Sequence, residues 1–94
     1  MLFFEWDESK AAKNFRKHGV SFEEAATAFG DPFSITIYDP LHSENEDRFI
    51  LLGMSGKNRL LLVVVHTDRH EKIRIISARK AIQKERRQYE NYEK

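Results

Sequence analysis

The chain has no cysteine in its 94 residues, which excludes a disulfide framework, a thiolate nucleophile and a zinc–thiolate site. Stability must come from packing. No apolar run approaches the ~20 residues that a membrane-spanning helix needs. The start, Met1-Leu2-Phe3-Phe4-Glu5, lacks the basic opening and small-residue cleavage site of a secretion signal, so a cytoplasmic protein without membrane contact is expected. There is no internal repeat, low-complexity tract or linker, and a chain this short has material for one core only, so a single domain over 1–94 is expected. P-loop, GxGxxG and GxSxG patterns are missing, which disfavours nucleotide-cofactor and serine-hydrolase chemistry. Four histidines, His18, His42, His66 and His70, show no HExxH pattern and no carboxylate at ligand spacing on a helix. Neither a metal nor another cofactor is expected.

What is present is charge, unevenly placed. The formal net charge is +1, yet residues 1–47 hold 4 basic and 10 acidic groups, whereas residues 48–94 hold 12 basic and 5 acidic ones. The second half therefore builds the positive surface, which suits RNA or an acidic partner as well as an ordinary mixed exterior.

The periodicities predict an α+β domain with the element order β-α-α-β-β-β-β-α. Leu2 to Trp6 is β-prone, and Asp7 can cap a helix running from Glu8 to about His18, with Gly19 as its left-handed stop. Ser21 and Glu24 have the spacing of a capping box, and Phe22, Ala25, Ala26 and Phe29 keep helical spacing until Gly30-Asp31-Pro32. From Phe33 to Tyr38 the pattern turns to strand, followed by an acidic, solvated loop from Asp39 to Asp47. Arg48–Ser55, Arg59–Arg69 and Ile73–Ser77 read as further strands joined by short turns, hence a three- or four-stranded antiparallel meander. The run Leu60 to Val65 is apolar on both faces, the mark of a central strand covered on both sides. Lys80 to about Tyr92 is a charged terminal helix in which Glu85 interrupts the stripe Ala78, Ile82, Tyr89, Tyr92.

Several residues in this frame can carry chemistry. Lys17-His18 places an imidazole beside an ammonium at a helix end, a plausible acid–base pair for phosphodiester cleavage or simply a packed cap. His66, on the face of Leu60, Leu62 and Val64, is either half-buried core or the point where that face opens to a ligand. Strand parity places Ile73, Ile75, Ser77 and Arg79 on one face and Arg74, Ile76 and Ala78 on the other. Arg79 at the rim of a packed surface must find an anion. Glu85 can be that anion, or Arg79 can converge with Arg48 and Arg69 on a scissile phosphate, and a carboxylate-held arginine serves both readings. Lys80, Lys84, Arg86 and Arg87 form a basic helix face which, with Tyr89 nearby, is either solvated surface or a track for an RNA backbone.

The combination Phe4-Glu5-Trp6-Asp7, Lys10, Asn14, Lys17-His18-Gly19-Val20 and Phe22-Glu23-Glu24-Ala25 resembles the N-terminal signature of BrnT-type toxins. Arg48 with Gly53, Val63-Val64-Val65, Arg74-Ile75-Ile76-Ser77-Ala78-Arg79-Lys80-Ala81, Glu85-Arg86 and Tyr89 are similar to the remaining motifs of that family, so the likeness spans nearly the whole chain. The resemblance implies a RelE-like fold and metal-independent cleavage of RNA with arrest of translation. It also implies neutralisation by a BrnA-type antitoxin carrying a ribbon-helix-helix domain, through which the toxin would form oligomers. Expected catalytic residues are Lys17, His18, Arg48, Arg79 and Glu85, and expected RNA-binding residues are Arg69, Arg74, Lys80, Lys84 and Tyr89. The alternative is a non-catalytic module of the same fold that binds protein or nucleic acid through its terminal helix and sheet edge.

Overall fold

The computed structural model describes residues 1–92; Glu93 and Lys94, the last positions of the expected domain, lie outside the described residues. Strand β1 (Phe4–Glu5) leads into helix α1 (Glu8–His18) and helix α2 (Phe22–Thr27), which ends in a 3-10 turn at Ala28–Gly30. Strands β2 (Ile35–Tyr38), β3 (Arg48–Met54), β4 (Leu61–Arg69) and β5 (Lys72–Lys80) follow, then helix α3 (Gln83–Asn91). This is the predicted α+β order.

Local chemistry sets the helix ends. Asp7 Oδ1 accepts from the Lys10 amide at 3.0 Å, occupying a first-turn donor that has no partner within the helix. Gly19 stops α1 at φ 72°, a conformation that costs a residue with a Cβ, and its amide donates to the Phe15 carbonyl at 2.8 Å. Ser21 Oγ caps α2 through the Glu24 amide at 3.0 Å, but only this half of the anticipated capping box forms. The Glu24 carboxylate instead reaches Ser55 Oγ at 2.7 Å and Asn58 Nδ2 at 3.0 Å, fastening α2 to the β3–β4 turn. Burial opposes its charge, yet these donors hold Glu24 below the usual carboxylate range.

The five strands lie in the order β1-β5-β4-β3-β2. Strands β2 to β5 are the antiparallel meander, while β1 joins its far edge parallel to β5, pairing Phe4 with Ile73 and Glu5 with Arg74, so the sheet is mixed. The two helices are the reason: they carry the chain from one edge strand to the other, a crossover that leaves β1 free of the hairpin geometry enforcing antiparallel pairing. Strand β4 is central, as its unbroken apolar run required. On one side Leu62 and Val64 meet Leu51, Ile75 and Ala78 under Val20, Phe22, Ala25 and Ala28. On the other, Leu61 and Val63 pack with Leu52 against Ala81 and Tyr89. Gly53 is required where the chain approaches β3 closely: a Cβ there would lie 2.9 Å from the Ala28 carbonyl oxygen.

Strand β5 departs from simple alternation. A bulge shifts the register so that Val65 faces Ser77 but His66 faces Ile75, leaving Ile76 as the extra residue. Ile75 and Ala78 therefore both enter the helix-side core, and the parity that put Arg74 and Arg79 on opposite faces is reversed: Arg74 lies opposite Thr67 and Arg79 opposite Val63, two residues of β4 that share a face. The hairpin from β4 to β5 turns at His70 and Glu71, both at positive φ (52° and 65°), the signature of a type I′ turn.

Candidate active site

Alternation along the strands defines a sheet face turned away from α1 and α2. It carries Ile35 and Ile37 of β2, Ile50 and Leu52 of β3 and Val63 of β4, and α3 covers only part of it. Tyr89 anchors α3 by donating its hydroxyl to Asp31 Oδ2, and the Ala81 amide donates to the Leu61 carbonyl at 2.9 Å. Between α3 and the strands runs a groove of about 480 Å³. Those five aliphatic residues form its floor, Gln88, Asn91 and Tyr92 form part of the helix wall, and Arg79 with Glu85 stands at the rim.

The rim pair is tightly built. Arg79 Nη1 donates to Glu85 Oε1 at 2.8 Å and Nη2 to Oε2 at 2.7 Å, a bidentate arrangement that fixes the plane of the guanidinium. Nη1 also reaches the Lys80 carbonyl at 3.3 Å. Glu85 Oε1 accepts in addition from the Ile82 amide at 2.9 Å, so one carboxylate both closes the first turn of α3 and holds Arg79. The hydrogen bond from Arg79 keeps Glu85 below the usual carboxylate range, and Glu85 in turn raises the Arg79 guanidinium. Both are ionised at neutral pH. Two guanidinium N–H groups, on Nε and Nη2, are not used by these bonds and remain for an anion.

The expected site residues divide. Arg48 shares the face of Ile50 and Leu52 by alternation along β3, and among the described residues it enters no ion pair. Arg74, brought to the same face by the bulge, pairs with Glu5 at 3.3 Å. Arg69, at the far hairpin, is held by Glu46 at 3.0 Å. Lys80 and Lys84 are exposed beside the Arg79–Glu85 pair. Tyr89 is committed to Asp31 and to the apolar cluster around Leu61, rather than presenting its ring for stacking. Burial, reinforced by the Asp31 carboxylate, pushes its hydroxyl up to about 12.

Lys17 and His18 stand elsewhere. They line a shallower depression of about 260 Å³ with Lys10, Lys13, Asn14, Ile76 and Ser77, which shares no lining residue with the groove. The two proposed halves of a catalytic set, the Lys17–His18 pair and the Arg79–Glu85 pair, are thus not brought together. His66 is core: it sits between Phe29 and Phe49 at ring separations of 4.9 and 5.7 Å, with 5% exposure. Among the described residues no group of three His, Asp or Glu side chains is arranged to hold a metal ion.

Sequence reasoning missed Gln88 and Asn91. The available signal was two uncharged amides three residues apart in a helix otherwise dominated by charge. It also missed Asn14 as a structural residue. Its amide donates to the Val20 carbonyl at 3.1 Å and the Ala78 carbonyl at 2.8 Å and accepts from the Ala78 amide at 3.1 Å.

A two-helix layer on one side of a five-stranded sheet, with arginines and an apolar groove on the other, defines a small α+β protein whose open face suits a polyanion. The chain belongs to the family described as the ribonuclease toxin, BrnT, of type II toxin-antitoxin systems, whose family model matches residues 6–85. No match was found among curated proteins. Membership brings a ribonuclease toxin's role, with RNA as the substrate and a protein antitoxin as the partner. No helix among the described residues is long and apolar enough to cross a membrane.

Proposed function

We propose that the chain is a metal-independent endoribonuclease that cuts RNA laid over the open sheet face, leaving 2′,3′-cyclic phosphate and 5′-hydroxyl ends and arresting translation. A ribose 2′-oxygen attacks the adjacent phosphorus and its proton passes to a lone pair of Glu85. The bond from phosphorus to the 5′-oxygen breaks, and that oxygen leaves with a proton from solvent. Arg79, already fixed in plane by Glu85, stabilises the charge that grows on the phosphorane oxygens, and Arg48 and Arg74 draw the flanking backbone along the face. In this reading His18 and Lys17, which line the separate depression beside Ile76 and Ser77, take no part at the scissile phosphate. The partner is a BrnA-type ribbon-helix-helix antitoxin, through which the toxin oligomerises in the cytoplasm.

The observation that carries this reading is the bidentate hold of Glu85 on Arg79 at the mouth of the groove, which orients a cation and leaves N–H donors for phosphate. The test is to incubate purified protein with single-stranded RNA in excess chelator and to identify the ends produced. Cleavage with cyclic-phosphate ends is expected, falling about 10²–10³-fold in Arg79→Ala, the usual cost of one lost transition-state donor. Strict dependence on added metal would overturn the chemistry. Growth arrest that persists on expressing a folded Arg48→Ala, Arg79→Ala variant would favour a binding module instead.

A further inference from the structure

The groove beside Arg79 combines three chemistries that one nucleotide presents together. Its floor is a sheet of branched aliphatic side chains, and Ile37 is 56% exposed although it faces this depression. Its helix wall carries the Gln88 and Asn91 amides, whereas five of the nine residues of α3 are charged. Its mouth carries a guanidinium with donors to spare. A flat heterocycle can lay one ring face against the aliphatic floor, where the gain is dispersion and water removal, and turn its polar edge to the amides. Each amide offers two donors and an acceptor, so the pair discriminates between base edges in a way that lysine or arginine, donors only, cannot.

We infer that this groove seats one unpaired nucleobase of the RNA, beside the phosphate held by Arg79, and that Gln88 and Asn91 read the edge of that base and set the sequence preference of the toxin. The identity of the polymer rests on the nuclease reading above; the selectivity of the groove does not require cleavage. Tyr92, 57% exposed on the same wall, covers the outer side of the seated ring. An apolar protein side chain fits the floor alone and leaves the amides and the arginine unanswered.

Binding and cutting are measured separately. Short homopolymers of A, C, G and U, 2′-O-methylated so that they cannot be cleaved, are titrated against the intact chain by fluorescence anisotropy. One base is expected to bind at least about tenfold more tightly than the weakest, the scale of a good amide–base pair. In Gln88→Ala, Asn91→Ala the four affinities should draw together, the ratio of strongest to weakest falling to within about twofold. Both side chains are exposed, so the variant should keep the wild-type melting temperature. Gln88→Glu, which exchanges donors for an acceptor, should reorder the bases rather than level them. Equal affinities in the wild type, no RNA binding at all, or ratios untouched by the double variant overturn the inference. In parallel, an unstructured RNA pool is digested. Cleavage without base preference removes the pocket and keeps the nuclease, whereas base-selective binding without any cleavage removes the nuclease and keeps the pocket.

Discussion

Asn14 stands beside Ala78 as though it were one residue of a sixth strand: its amide both accepts from the Ala78 N–H and donates to the Ala78 carbonyl. Strand β1 pairs with β5 only at Ile73 and Arg74, so the edge beyond is open, and an open edge is a template for unwanted pairing. Asparagine is a poor helix former at mid-helix, yet here its side chain closes that edge from α1, where Asn14 is 8% exposed.

Asn14→Ala should therefore lower stability by about 2–4 kcal/mol, because the Ala78 amide and carbonyl are left buried without partners. Asn14→Asp should cost more, since the carboxylate cannot donate to the Val20 and Ala78 carbonyls and would bury a charge. Urea unfolding with a common slope measures both. A loss below about 0.5 kcal/mol for Asn14→Ala would show that water serves the edge equally well.

The enclosure of His66 makes a pH prediction. Neither ring nitrogen has a hydrogen-bond partner among the described residues, and the Asp68 carboxylate lies 3.9 Å from Nδ1. Burial lowers the pKa of His66 below its ordinary 6.5, with Asp68 acting weakly in the other direction. The unfolded chain thus takes up the proton first, so the stabilisation is whole above about 6.5 and declines as pH falls toward the folded value. Thermal unfolding should show a falling midpoint over that window. His66→Phe should remove that segment of the curve and raise stability at neutral pH by about 1 kcal/mol, because no polar atom is then left unpaired. An acid limb unchanged in His66→Phe would assign it to the carboxylates.

Much of this molecule is legible in its sequence. The capping aspartate, the Gly19 stop, the doubly apolar β4 and the order of elements follow from local chemistry and period. What failed to show was long-range. The bulge at Ile76 leaves no mark in the pattern Ile73-Arg74-Ile75-Ile76-Ser77, because either parity buries isoleucines, yet it decides which arginines share a face. Arg79 and Glu85 are legible as a pair because an arginine at a packed rim needs an anion and Glu85 interrupts the apolar stripe of the helix that follows. Lys17-His18 offers acid–base chemistry at a helix end, but neither residue type nor helix position says which depression of the surface that end lines. Asn14 and Ala78 are 64 positions apart, beyond any periodic argument.

The hairpin between β4 and β5 is built from unfavourable residues. His70 and Glu71 both occupy positive φ, where a side chain costs roughly 1–2 kcal/mol relative to glycine, and the sequence offers neither Asn nor Gly. His70→Asn with Glu71→Gly should relieve that cost and raise the melting temperature by about 4–8 °C for each kcal/mol regained. The turn contributes no residue to the groove, so the base preference of RNA binding should not change. A lower melting temperature would mean that contacts of His70 or Glu71 outweigh the strain of the turn.

Glu85 holds Arg79 and accepts from the Ile82 amide, and the proton-accepting role proposed for it can be separated from that structural one by a single substitution. Glu85→Gln keeps the shape and an acceptor for the Ile82 amide but removes the charge facing Arg79. The pair is partly exposed, with side-chain exposures of 40% for Arg79 and 21% for Glu85, so solvent screening limits its worth to about 1 kcal/mol. The folded pKa of Glu85 is depressed, so the difference in stability between wild type and variant should be full above about 4.5, the carboxylate's ordinary value, and vanish as pH falls through the folded value. Cleavage should respond on another scale. If Glu85 accepts the 2′-hydroxyl proton, its amide replacement loses about 10²–10⁴-fold in rate, far beyond the small loss of stability, and the acid limb of the pH–rate profile disappears. Arg79→Lys separates the two functions, because a point charge retains attraction to Glu85 and phosphate but gives up the bidentate plane. It should keep most of the stability and lose most of the rate. A Glu85→Gln enzyme that cuts RNA within about threefold of wild type would leave Glu85 as a holder of Arg79 and send the search for the base elsewhere on the face.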